Sequence, residues 1–168
     1  MTIHLEALIA ILVLALSPLT GSAADVLRNW FDDPYFQVRS GIRGCPVPRG
    51  PFATEDEMRH ETHYRSERGT RCWLEKKCSK PSSYLYDPDI AAALRSRFAS
   101  DRRFRDASLW VTVQRRWAWI EGCVRSRHEQ AQLERLARSI PDVELVIVNV
   151  SAPRSGPPPY RTMEVPAR

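Results

Sequence analysis

Residues 87–150 read DPDIAAALRSRFASDRRFRDASLWVTVQRRWAWIEGCVRSRHEQAQLERLARSIPDVELVIVNV, and this stretch decides the fold. It begins with Asp87 and Pro88, a pair typical of a helix start, because aspartate can cap free backbone N–H groups and proline suits the first helical position. Ile90, Leu94 and Phe98 then recur at helical spacing. The pattern predicts a helix with one apolar stripe.

The middle of the stretch predicts a β-hairpin. Segments 109–114 and 117–122 are rich in β-branched and aromatic residues, as strands usually are. Only Arg115 and Arg116 separate them. Because two-residue hairpin turns usually contain asparagine or glycine, we expect the turn to be longer than two residues.

A second helix and a last strand follow the hairpin. Ser126 and Glu129 have the spacing of a capping box, and Pro141 ends the helix that they begin. Residues 143–150 are mostly apolar and predict a strand. The order α-β-β-α-β predicts an α+β fold, a two-layer sandwich with two helices on a three-stranded mixed sheet.

This order and its residues resemble the BON family, the bacterial osmotic-stress and nodulation domain. The resembling segments are Leu94, Trp110-Val111-Thr112-Val113, Ile120-Glu121-Gly122-Cys123-Val124, Ser126, Leu136-Ala137 and Val143-Glu144-Leu145-Val146. Family members often have Asn-Gly at the hairpin tip and glycine before the last strand, where this chain has Arg115-Arg116 and Asp142. The resemblance implies a non-enzymatic periplasmic domain that associates with phospholipid or with partners in the cell envelope.

The amino terminus predicts export. Residues 7–16 are apolar, and Ser22, Ala23 and Ala24 supply the small residues of a cleavage site. We therefore predict a signal peptide over residues 1–24 and a periplasmic location. Because the residues before the apolar run include Glu6 and no lysine or arginine, an uncleaved membrane anchor is the alternative.

Four cysteines follow the predicted signal peptide: Cys45, Cys72, Cys78 and Cys123. An even number in an exported chain predicts two disulfides, and all three pairings are open. A zinc site that combines His60 and His63 with Cys72 and Cys78 is the alternative, but this spacing is not a standard one for zinc ligands. We therefore predict no metal and no cofactor.

Residues 25–84 are predicted to be an extension of the domain. Thr54 and Glu57 have the spacing of another capping box, which predicts a helix near 55–68, ended by Gly69. The BON-like domain is predicted over residues 85–151. Residues 152–168 are rich in proline and are predicted to form a flexible tail.

The extension is predicted to cover one face of the sheet. Alternation along the strands places Trp110, Trp117, Trp119 and Cys123 on the face away from the helices. We infer that Cys123 bonds to a cysteine of the extension and that aromatic or apolar residues of the extension pack on this face. The candidates for this packing are Trp30, Phe31, Trp73 and Leu74. An open aromatic binding platform is the alternative.

No catalytic residues are predicted, and the candidate binding residues are basic. The chain has a formal net charge of +5, and its only lysines are at positions 76, 77 and 80. Arginine binds phosphate in a forked geometry, so clustered arginines predict a lipid- or anion-binding surface. The candidates are Arg102, Arg103, Arg105, Arg115, Arg116, Arg125 and Arg127.

These features predict a non-enzymatic envelope protein that associates with anionic phospholipid. A disulfide-braced module for protein interaction or assembly, without lipid binding, is the alternative. A solvated basic rim without any ligand is the third interpretation. Export argues against nucleic acid as the partner of the positive charge.

Overall fold

The computed structural model describes residues 26–153 and 156–163, so the predicted signal peptide lies outside the described residues. These residues form a four-stranded sheet with three α-helices and two short 3-10 helices. The strands are β1 (Tyr35–Ser40), β2 (Ser108–Gln114), β3 (Trp117–Cys123) and β4 (Leu145–Ser151), and the helices are α1 (Glu55–Leu74), α2 (Asp87–Ser100) and α3 (His128–Arg138). The spatial order is β1-β2-β3-β4; the first two pairs are antiparallel and β3–β4 is parallel.

The core lies between the sheet and the helices α2 and α3. Strand alternation in β2 and β3 places five fully buried side chains on this face: Leu109, Val111, Val113, Ala118 and Ile120. They belong to the same apolar cluster as the stripes of the two helices, which include Leu94, Phe98, Leu133 and Leu136. The predicted α+β sandwich is therefore confirmed.

The sheet has one strand more than predicted. Strand β1 comes from the extension and pairs with β2, with Tyr35 opposite Thr112 and Phe36 opposite Val111. Its sequence, YFQVRS, is short and mixes polar with apolar residues, so it lacks a clear strand pattern. Pairing with β1 satisfies the backbone of β2, which would otherwise be a buried strand with an open edge.

Two disulfides join the extension to itself and to the domain. Cys45 bonds to Cys123 across 78 positions, and Cys72 bonds to Cys78. The inferred bond between Cys123 and the extension is confirmed. Since Cys72 and Cys78 bond to each other, neither is free to ligate zinc.

The second face of the sheet is largely covered, as inferred, although not by all the predicted residues. Trp110 is only 9% exposed. The segment 46–53 lies on this face: the hydroxyl of Tyr35 donates to the carbonyl of Pro48 at 2.7 Å. A Cβ on Gly50 would lie 2.5 Å from the ring of Tyr35, so the two chains are in close contact.

Trp73 and Leu74 do not take part in this cover. Trp73 is 46% exposed and Leu74 is 74% exposed. They lie in the last turn of α1, which continues beyond Gly69 instead of ending there. A Cβ on Gly69 would lie 2.9 Å from the hydroxyl of Ser82, so this glycine permits close packing on the following segment. The prediction that Gly69 ends the helix is wrong for this reason.

The capping boxes have different outcomes. At α1 the predicted box is present, and Glu57 also accepts hydrogen bonds from Arg49 and Arg161. At α3 only half of the predicted box forms: Glu129 accepts from the N–H of Ser126, but the hydroxyl of Ser126 accepts from the N–H of His128 and not from that of Glu129. The helix therefore begins later than the spacing predicts.

The described part of the carboxyl-terminal segment is docked on the extension. Thr162 forms a β-bridge with Pro48, and the buried hydroxyl of Tyr160 donates to the carbonyl of Pro46 at 2.9 Å. Burial raises the pKa of Tyr160 to about 12, with a further contribution from Glu121. The prediction of a flexible tail is therefore wrong for residues 156–163, because they complete the cover. Within the described ranges, no helix has both the length and the apolar character needed to cross a membrane.

Candidate functional site

The sheet separates the seven candidate arginines into two groups. Arg115 and Arg116 form the hairpin tip, at the end where β2 stops and β3 starts. The other candidates flank the opposite end of these strands, about 20 Å away for seven-residue strands. They are Arg102, Arg103, Arg105, Arg125 and Arg127.

The opposite end provides isolated surface charges. Arg103 is bonded to Asp101, with 3.0 Å between Nε and Oδ1, and Arg105 lies 3.5 Å from Asp106. Arg102, like Arg105, is exposed on the surface. The predicted anion site at the start of α3 is not supported, because its own Glu129 already accepts from the backbone of Arg125. Arg125 and Arg127 are exposed beside this cap.

The hairpin turn contains two residues, so the expectation of a longer turn is wrong. Gln114 pairs with Trp117, and Arg115 and Arg116 have φ values of +49° and +68°. Asp142, before the last strand, also has a positive φ of +65°. These are the positions where BON family members often have asparagine or glycine, the residues that adopt a positive φ most readily.

Asp87 explains how two arginines can form this turn. Its carboxylate, 2% exposed, accepts hydrogen bonds from the backbone N–H groups of Arg115 and Arg116, each at 2.7 Å. Burial raises the pKa of Asp87 to about 6, so the carboxylate is mostly ionised at neutral pH. The sequence predicts that Asp87 caps its own helix; instead it caps the hairpin, and α2 has no side-chain cap.

A basic cleft lies between the hairpin tip and the carboxyl-terminal part of α1. Its volume is about 470 Å³. The cations that line it are Arg68, Arg71, Lys77, Arg115 and Arg116, and the acidic residues are Glu75 and Glu144. We call this site the basic cleft. Five cations beside two carboxylates give it a positive potential that attracts anions.

Four of the five cations have acidic partners, and that of Arg116 is Asp142 at 3.9 Å. Arg68 bonds to Glu61 at 2.9 Å, and both Arg71 and Lys77 bond to Glu75. Hydrogen bonds from Lys77 and Arg71 lower the pKa of Glu75 to about 2, so this carboxylate stays ionised. These pairs fix the wall of the cleft and reduce its charge without cancelling it.

The two arginines of the hairpin tip differ in the contacts of their guanidinium groups. Nε of Arg116 donates to the carbonyl of Asp142 at 2.8 Å. The guanidinium of Arg115 forms no hydrogen bond or ion pair with any residue in the described ranges. It stacks on Trp117, 3.5 Å from the ring centroid. Burial lowers the pKa of Arg115, and the nearby Arg68 contributes to the same shift. The stacked guanidinium is therefore a cation held in a fixed position, and its N–H groups can donate hydrogen bonds to an anion.

Sequence reasoning found the hairpin tip but missed the wall that faces it. Arg68, Arg71 and Lys77 lie in the extension, and the Cys72–Cys78 disulfide fixes the segment that carries Lys77. The clustering of all the lysines at positions 76–80 was the available signal. The position of this lysine-containing segment beside the hairpin depends on packing between distant segments of the chain.

Replacing the turn with the family's usual residues is expected to stabilise the protein. Arg115→Asn/Arg116→Gly removes the strain of two arginines at positive φ, and we expect this gain to outweigh the lost contacts of Arg115 with Trp117 and of Arg116 with Asp142. We expect the free energy of unfolding to rise by about 1 kcal/mol. Urea denaturation followed by circular dichroism measures it, and a clear decrease would contradict this account of the turn.

Comparison with known proteins agrees with the resemblance found in the sequence. Residues 86–153 match the family model described as BON domain. No curated protein and no solved structure matches the chain. The matched range contains α2, β2, β3, α3 and β4, and leaves β1 and α1 outside.

The family match indicates the general type of function. The BON domain is a non-catalytic, binding-type domain that is generally associated with membranes, phospholipid or the cell envelope. The two disulfides fit an extracytoplasmic protein of this type. Residues 86–153 therefore form a BON domain, and the amino-terminal extension is joined to this range by a disulfide.

Proposed function

We propose that this is a non-enzymatic periplasmic protein that associates with anionic phospholipid through the basic cleft. The observation that carries the proposal is the guanidinium of Arg115, which is stacked on Trp117 and has no acceptor among the described residues. It lies in a cleft with four other cations. A lipid phosphate offers the oxygen acceptors that this group lacks.

The charge of the cleft is sufficient for such an association. Each basic residue near an anionic membrane surface contributes about 1 kcal/mol at physiological ionic strength. Acidic partners reduce the share of the other four cations, so Arg115 is expected to contribute most. BON domains bind membranes or lipids in general, which supports this class of partner.

Vesicle co-sedimentation tests the proposal. Vesicles that contain phosphatidylglycerol should bind the protein in a salt-sensitive manner, and phosphatidylcholine vesicles should not. Arg115→Asn/Arg116→Gly should reduce binding at least tenfold, since two cations at about 1 kcal/mol each are lost. Because this variant is expected to be more stable than the unsubstituted protein, unfolding would not explain its loss of binding.

A matched variant controls for charge alone. Arg102→Gln/Arg105→Gln also removes two positive charges, but from the opposite end of the sheet. It should change binding less than threefold at 150 mM salt, where charges a Debye length of about 8 Å or more away are largely screened. Equal losses in the two variants would reject the basic cleft as the site.

The alternative is a protein-interaction module, and one observation favours it. Strand β4 is an edge of the sheet, and its half-buried side chains include Ile147, Val148 and Val150. An exposed apolar edge strand can pair with a strand of a partner. If the protein fails to bind anionic vesicles even at low salt, this second function is the better interpretation.

A further inference from the structure

The end of α1 exposes two large apolar side chains side by side. Leu74 is 74% exposed and Trp73 is 46% exposed. Both lie in the last turn of α1, in the extension and outside the range that matches the BON family. Contiguous exposed apolar residues on a folded domain usually mark a contact surface.

The residues around this pair are cationic. The segment 71–80 contains Arg71 and every lysine of the chain, with Glu75 as its single acidic residue. Tryptophan is enriched at the interface of membranes, where its ring lies near the headgroups. Lysine can extend its ammonium group to the headgroups while its methylene chain covers apolar surface. The composition therefore fits the boundary of an anionic bilayer.

The geometry of the segment is fixed. The Cys72–Cys78 disulfide closes a loop, and the N–H of Lys77 donates to the carbonyl of Cys72 at 2.8 Å. The N–H of Lys76 donates to the carbonyl of Trp73 at 2.9 Å. A loop held in this manner loses little conformational entropy on binding, which favours affinity.

The loop and the basic cleft face the same end of the molecule. Arg71, Cys72 and Lys77 line the cleft together with Arg115. An anionic surface that contacts the guanidinium of Arg115 would therefore lie beside the loop. Charge complementarity selects an anionic bilayer as the occupant of this surface. Neither Lys76 nor the guanidinium of Arg115 has an acidic partner among the described residues, and a neutral apolar partner would give them none, whereas Lys77 and Lys80 are paired with Glu75 and Asp89.

We propose that the disulfide-closed loop 72–78 is a membrane-contacting wedge. Trp73 and Leu74 enter the boundary between headgroups and acyl chains, and Lys76 and Lys77 remain among the headgroups. The inference rests on the proposed association with anionic phospholipid. It adds that the extension supplies an apolar contact beside Arg115 and Arg116, the two arginines of the cleft that belong to the BON domain.

Vesicle binding of Trp73→Ser/Leu74→Ser tests the wedge. On phosphatidylglycerol vesicles its affinity should fall at least tenfold, while the remaining binding stays salt-sensitive. Its melting temperature should not fall, since the replaced side chains are exposed. The control is Val47→Ser, because Val47 is 44% exposed and lies two residues from Cys45, whose partner Cys123 is at the opposite end of the sheet. This control should bind as the unsubstituted protein does.

Tryptophan fluorescence provides a second measurement. Phosphatidylglycerol vesicles with bromines in the acyl chains should quench the unsubstituted protein, and Trp73→Phe should lose most of this quenching. If the unsubstituted protein binds while Trp73→Ser/Leu74→Ser binds equally well and Trp73→Phe is quenched equally, the wedge is overturned and the proposed function survives. If the unsubstituted protein does not bind anionic vesicles, both are overturned.

Discussion

Loss of the Cys45–Cys123 disulfide is expected to lower the free energy of unfolding by about 4 kcal/mol. The bond closes a loop across 78 positions, so it restricts the unfolded chain strongly. It also holds the segment 46–53 on the second face of the sheet, where Pro48 accepts from Tyr35. The variant is Cys45→Ser/Cys123→Ser. Urea denaturation of this variant and of the unsubstituted protein gives the difference in their free energies of unfolding.

The second disulfide is the matched control for this prediction. Cys72 and Cys78 are only six positions apart, so Cys72→Ser/Cys78→Ser should cost about 2 kcal/mol by the same loop-entropy relation. Limited proteolysis should cut the extension of the first variant and spare that of the second. Equal losses of stability in the two variants would show that loop closure is not the main contribution.

Replacement of Asp87 is expected to have the second largest effect on stability. Asp87→Asn keeps the size of the side chain but turns an amide NH₂ toward one of the two N–H groups of the hairpin turn. Hydrogen bonds to a charged group contribute about 1.5–3 kcal/mol each, so we expect a loss of about 3 kcal/mol at pH 7. Asp89→Asn is the control, because Asp89 is exposed and pairs with Lys80 at the surface.

The pH dependence identifies the carboxylate that is responsible. Burial raises the pKa of Asp87 from 3.8 to about 6. Asp33 raises the pKa further, whereas the N–H groups of Arg116 and Arg115 and the charge of Arg65 lower it. Between about pH 4 and pH 6 the folded protein therefore binds more protons than the unfolded chain. The contribution of this group to the free energy of unfolding increases as the pH falls through that window.

Comparing two proteins isolates this contribution. The difference in the free energy of unfolding between the unsubstituted protein and Asp87→Asn should widen as the pH falls from about 6 to about 4. Hydrogen bonds from Thr54 and Arg103 lower the pKa values of Glu57 and Asp101, which act in the opposite sense in both proteins and so cancel. A difference that narrows over this range would reject the raised pKa of Asp87.

The requirement for Asp87 relates the stability of the domain to its proposed function. Arginines at positive φ are a costly choice for a hairpin turn, and the buried carboxylate offsets that cost. The result is a pair of cations at the tip, one of them stacked on Trp117 and available to an anion. Functional sites often contain strained backbone whose energetic cost is compensated by contacts in the surrounding structure.

Local patterns in the sequence were sufficient to predict the helices α2 and α3 and the strands β2, β3 and β4. The apolar stripes of α2 and α3 and the alternation of β2 and β3 recur within a few residues, so they indicate helices, strands and buried faces directly. Parity along β3 also placed Cys123 on the face that the extension covers. The two basic residues of the hairpin tip were identified in the same way.

The rest of the candidate site depends on contacts between distant segments. Strand β1 pairs with residues about 70 positions away, and the cleft combines Arg68 of α1 with Arg115 of the hairpin. The sequence around Asp87 does not reveal whether its carboxylate caps its own helix or a turn 28 positions later. The chain by itself determined its helices, its hairpin and the faces they bury, because these follow from spacing. Only the tertiary structure decided the cysteine pairing, the fourth strand and the second wall of the cleft, because packing brings those residues together and no local pattern encodes it.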